Sequence, residues 1–102
     1  MMFLLILTSA PTWLLPPTNA VDLRCVAVIG VAAKPAQAKD GAFFAALAGA
    51  DAMDAAGVSR EQVRDVILGH AKIIRAQKLS SSELRTCTLR MASRIKVEGD
   101  AR

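Results

Sequence analysis

The sequence predicts an all-α domain, a small bundle of about four helices whose first and last members are linked by one disulfide. Three observations carry this. The 82 residues from Val21 onward include seventeen alanines, the strongest helix former, and no stretch alternates convincingly in the period of a strand. Apolar residues recur at helical spacing in four stretches, and two of these follow a Ser with Gln or Glu three positions on. The two cysteines, Cys25 and Cys87, each fall on the apolar stripe of a helix, one near the start of the domain and one near its end.

The first helix is predicted from about Asp22 to Ala33, with Cys25, Val28, Ile29 and Ala32 on one stripe. Lys34-Pro35 ends it, because a residue before proline avoids the helical region. Val26 and Val31 make its other side apolar too, so it is expected to be the central element, buried on more than one face. The second begins near Asp40 as N-cap and places Phe43, Ala46, Leu47, Ala50 and Met53 inward, with Phe44 to the side. Asp51 and Asp54 take its outer face, and Gly57 closes it as a left-handed C-cap.

The third helix starts at Ser59, which forms a capping box with Gln62, and carries Val63, Val66, Ile67, His70 and Ile74 inward. Glu61 is in reach of Arg64 along its surface. Gly69 in its middle costs up to about 1 kcal/mol against Ala, and either marks a close helix contact or is simply tolerated. The fourth opens on a second box, Ser80 with Glu83. It aligns Leu84, Cys87, Met91 and Ile95 on one face and ends at Gly99, leaving a frayed Asp100-Ala101-Arg102.

The N-terminal segment reads as a signal peptide, residues 1–20. It holds the apolar runs Phe3 to Leu7 and Trp13 to Leu15, stopped by Pro16-Pro17, and then Thr18-Asn19-Ala20, small at the two positions a signal peptidase reads. Cleavage is expected after Ala20, although only the α-amino group supplies positive charge before the apolar run. The prolines and the charges Asp22 and Arg24 argue against a membrane span and against a retained core helix. Arg24 before Cys25 argues against lipidation there. Export to the periplasm or beyond favours a Cys25–Cys87 bridge, whereas a cytosolic chain would keep two buried thiols. At 82 residues a hydrophobic core alone is marginal, and closing a loop of about 60 residues is worth roughly 4 kcal/mol.

The stretch Leu23-Arg24-Cys25-Val26-Ala27-Val28, with an Ala-rich second helix and a Cys in the last, resembles small exported α-helical proteins of alphaproteobacteria with two cysteines, a group without an assigned activity. The resemblance implies a periplasmic all-α domain with one disulfide, and no catalytic residue. Periplasmic acid-stress chaperones are similar in architecture alone, being small, helical and single-bridged.

Catalytic vocabulary is thin. From Val21 onward there is no Trp or Tyr, one His and two Phe. Ser59 and Ser80 read as caps, no Ser sits in a nucleophile-elbow context, and Asp51 and Asp54 read as a solvated pair. No catalytic residue, cofactor or metal set is assigned, and no small-molecule substrate is evident. His70 reads as a partly buried, hydrogen-bonded side chain rather than a ligand. Charge is the informative feature. Up to Ser59 three basic residues from Arg24 face four acidic ones, whereas from Arg60 ten face five. If the third and fourth helices are antiparallel neighbours, Lys72, Arg75, Lys78, Arg85, Arg90 and Arg94 form a basic face. Such a face suits an anionic envelope surface or an acidic protein, or serves only to keep the domain soluble. Export and the lack of stacking aromatics disfavour nucleic acid. The leading expectation is a non-enzymatic exported binding domain, and the alternative is an acid-responsive chaperone.

Overall fold

A computed structural model describes residues 15–32 and 34–100. Among these the chain forms four α-helices and no strand: α1 (Pro17–Ala32), α2 (Ala38–Ala56), α3 (Arg60–Ala76) and α4 (Ser81–Asp100), with a 3-10 turn at Pro35–Gln37. The apolar run Phe3 to Leu7 and the residues Trp13 and Leu14 lie outside the described residues.

Helix α1 is the axis of the bundle. It packs on α2, α3 and α4, each of which touches it more than it touches the others. Leu23, Cys25, Val26, Ala27, Val28 and Ile29 are all buried, which a helix enclosed on several sides requires. It starts five residues earlier than the sequence suggests. Pro16 and Pro17 begin the helix instead of stopping an apolar run, and the Ala20 N–H donates to the Pro16 carbonyl at 3.0 Å. Proline suits a first helical turn, since the N–H it lacks has no intrahelical acceptor there. The bond expected to be cut, after Ala20, therefore lies inside α1, between the buried Asn19 and Asp22.

Helix α2 also starts early, at Ala38, and Asp40 occupies its first turn without capping it. Its buried face is Phe44, Ala48, Gly49 and Ala52, about 100° round the helix from the expected stripe. Phe44 is fully enclosed and Phe43 half-buried, the reverse of the sequence reading. The cause is the near-uniform apolarity of this helix: its period leaves the inward face open, and close approach decides it. Where α2 crosses its neighbours the side chains are small. A Cβ at Gly41 would sit 3.3 Å from Ile29 Cγ2, tighter than ordinary contact.

Gly57 caps α2 at φ 66° and donates to the Met53 carbonyl at 2.9 Å, as expected of a left-handed C-cap. The Ser59 capping box forms in both directions, with Gln62 N to Ser59 Oγ at 3.1 Å and Ser59 N to Gln62 Oε1 at 2.7 Å. Val63, Val66 and Ile74 are buried as read, with Ile67 and His70 half-buried. Gly69 is tolerated and marks no contact, since a Cβ there would meet open space. On α4 only half of the second box forms. Glu83 N donates to Ser80 Oγ at 3.0 Å, but the Glu83 carboxylate is engaged elsewhere. Cys87 and Met91 are buried, Leu84 and Ile95 partly so, and the helix runs through Gly99 to Asp100.

Cys25 and Cys87 form the expected bridge, with Cα atoms 5.0 Å apart across a sequence separation of 62. It clamps the first helix to the last, and both sulfurs sit in the core.

Candidate functional site

The bridge sets the register of α1 against α4 and so decides which charges meet. In an antiparallel pair a residue three positions before Cys25 faces one three positions after Cys87. These are Asp22 and Arg90. The Asp22 carboxylate, 6% exposed, accepts from Arg90 Nε and lies 3.7 Å from Arg94 Nη1, while Arg94 Nη2 also donates to Asp51 on α2. Arg90 Nη2 reaches the Thr18 carbonyl at 3.5 Å. On the other side of the bridge Arg24 grips Glu83 with two hydrogen bonds, Nε to Oε2 at 2.9 Å and Nη2 to Oε1 at 3.0 Å. A buried carboxylate is tolerated because its charge is met by guanidinium donors in fixed geometry.

The candidate cations therefore divide. Arg90 and Arg94 are spent on this internal network. Lys72, Arg75, Lys78 and Arg85 are exposed and make no ion pair among the described residues. The condition for one continuous basic face is not met either. Helices α3 and α4 barely touch, because α1 lies between them. What remains is four exposed cations, Lys72 and Arg75 one turn apart on α3, Lys78 in the connection and Arg85 on α4.

His70 is half-buried within electrostatic range of Arg24 and Glu83, and makes no hydrogen bond among the described residues, contrary to the sequence reading. Burial first, and then the Arg24 charge, push its pKa below the ordinary value. The hydrogen bond from Arg24 holds the Glu83 carboxyl below the usual carboxylate range. Among the described residues no group of three or more His, Cys, Asp or Glu is placed to hold a metal ion, and no helix is long and apolar enough to cross a membrane.

A second feature has no counterpart in the sequence reading. Helices α2 and α3 both pack on α1 and touch each other less, and an open trough lies between them. One lobe, of about 490 Å³, is floored by Val26 and Ile29 of α1 and has Lys34 and Arg75 on its border. The other, of about 460 Å³, lies toward Met53 and Val63 and is bordered by Arg60 and Arg64. Ala45, Ile67 and Leu68 line both lobes, so the two adjoin. Every charged residue that lines it is a cation, and among the described residues none of the four is in an ion pair, Glu61 making none with Arg64. Periodicity along one helix could not reveal this, because the lining of the trough comes from several helices.

Comparison of the chain with protein-family models, with curated proteins and with solved structures gave no match.

Proposed function

We propose that the protein is a non-enzymatic, exported helical domain that binds an anionic partner, an envelope surface or an acidic protein, through Lys72, Arg75, Lys78 and Arg85. One observation carries the reading: these four cations stand in solvent, while Arg90 and Arg94 are held by Asp22 and Asp51. A fold that needs its basic residues for internal pairing would show the same use of all six. The Cys25–Cys87 bridge supports an oxidising compartment, and a signal peptidase would meet the bond after Ala20 before α1 forms.

The triple variant Arg75→Glu, Lys78→Glu, Arg85→Glu is expected to lose retention on phosphatidylglycerol vesicles at low salt. The wild-type chain should elute as ionic strength approaches about 1 M, where screening shortens to about 3 Å. Neither should bind phosphatidylcholine vesicles. Arg90 is left intact so that the fold survives the charge reversal. Retention unchanged by the three substitutions would overturn the reading.

A second reading, an acid-responsive chaperone, is favoured by the way α4 is fastened. Arg24–Glu83, Arg90–Asp22 and Arg94–Asp22 all join α1 to α4 through a carboxylate. His70 and Glu83 both bind protons less readily in the folded chain than unfolded. Their contribution to stability is complete above the ordinary values, 6.5 and 4.5, and is lost as pH falls through the lower folded ones. The melting temperature should fall from pH 7 toward pH 4, less steeply in His70→Gln above the carboxylate range and in Glu83→Gln within it. Light scattering of an acid-denatured client should then drop when the protein is added at low pH. No suppression at any pH would end this reading.

A further inference from the structure

We infer that the α2/α3 trough is a binding site for a single-chain anionic amphiphile, a long-chain carboxylate, with its tail along Ala45, Ile67 and Leu68 and its head group between Lys34 and Arg75. The inference deepens the anion-binding reading and shares with it only Arg75.

Four features of the trough select this chemistry. Its two lobes, about 490 and 460 Å³, fall within the range of small-ligand sites, roughly 300–1,000 Å³. Apart from Gln37 and the bordering cations, its lining is apolar. An extended peptide laid there would turn the backbone N–H and C=O groups on its inner side toward apolar side chains, whereas an acyl chain has none to satisfy. A helix about 10 Å across occupies roughly 420 Å³ per turn, so the two lobes together hold about two turns, fewer residues than the roughly 12 an isolated helix needs to persist. The charge on the border is of one sign, and the acyl chain that the walls accept carries its anion at one end, where Lys34 and Arg75 border a single lobe.

Leu68, 54% exposed between the lobes, is the residue such a tail would cover. A half-exposed leucine over an apolar channel is a site where covering the surface is favourable without rearranging the core.

The test is calorimetric titration of the full chain with laurate, kept below its micellar concentration, beside glycerol monolaurate as the uncharged counterpart and an acidic amphipathic peptide. One laurate per chain is expected, with affinity at least about tenfold above the uncharged ester, the value of one charge-assisted hydrogen bond. Lys34→Gln with Arg75→Gln should remove that preference, and Leu68→Ser should weaken both lipids alike. All three positions are exposed, so the fold is retained, which unchanged far-ultraviolet dichroism checks. Lys78→Gln with Arg85→Gln, expected to lower vesicle retention, should leave laurate binding as it is. Absence of saturable laurate binding, equal affinity for the ester, or binding of the peptide without competition from laurate would each overturn the proposal. Vesicle retention that persists while laurate fails would leave the surface-cation reading standing, and the converse would leave the trough alone.

Discussion

Reduction of the Cys25–Cys87 bridge is expected to lower the melting temperature by roughly 20 °C and to leave the chain largely unfolded at 37 °C. The bridge spans 62 residues, and on the chain-entropy account the freedom returned to the unfolded state is worth about 4 kcal/mol. A domain of this size shifts by roughly 4–8 °C per kcal/mol. A second cost adds to the first. The sulfurs are core atoms, so Cys25→Ser with Cys87→Ser places two polar hydroxyls in an apolar interior. Cys25→Ala with Cys87→Ala separates the two effects, retaining the entropic loss without burying polar atoms. Thermal unfolding followed by dichroism, with and without reductant, measures both. A drop of only a few degrees in the reduced wild type would show that packing around α1 holds the bundle unaided.

The same bridge explains which parts of the molecule are legible in the sequence. Where a residue's role is fixed by its near neighbours in the chain, the sequence announces it. Gly57 turns left-handed, and Ser59 and Gln62 cap each other. Where the role is fixed by a partner far along the chain, the local pattern misleads, unless an anchor such as the Cys25–Cys87 bridge sets the register. Its spacing makes Glu83 the return arm of the Ser80 capping box, a local partner; Arg24 outbids it with two charge-assisted hydrogen bonds. Its pattern makes Asp22 a helix start, yet Asp22 is the buried anion of the α1/α4 seam. That assignment is within reach, since an antiparallel pair joined at Cys25 and Cys87 places Asp22 beside Arg90. Counting three residues either side of each cysteine takes Arg90 out of the basic face, and Arg94 lies one turn further along the same seam.

Pro16-Pro17 shows a different limit. A double proline stops a helix or starts one according to whether the turns after it find a surface to pack against. Here they do. Leu15 and Asn19 are buried, so the helix begins where the sequence suggests an end. The trough is the extreme of this class, since no single helix contains its signal.

The inward face of α2 gives the sharpest test of the packing. Phe44→Ala is expected to cost about 3–5 kcal/mol, the range for deleting a large aromatic from a closed core, because Phe44 is fully buried. Phe43→Ala should cost about 1 kcal/mol, near the centre of the distribution for point substitutions, because that ring is only half-buried. Adjacent residues of the same type share composition, propensity and unfolded-state behaviour, so the difference between the two isolates the rotational setting of the helix. Urea unfolding of both variants with the disulfide intact reads it directly. With the slope in denaturant unchanged, the ratio of midpoints orders the two sites without any absolute scale. If Phe43→Ala proved the costlier, α2 would have to be turned by about 100°, back to the face that its apolar periodicity suggests. Ala48, Gly49 and Ala52 argue against that setting, since their small side chains are what lets α2 lie close to its neighbours, and larger residues on the same line would hold it away.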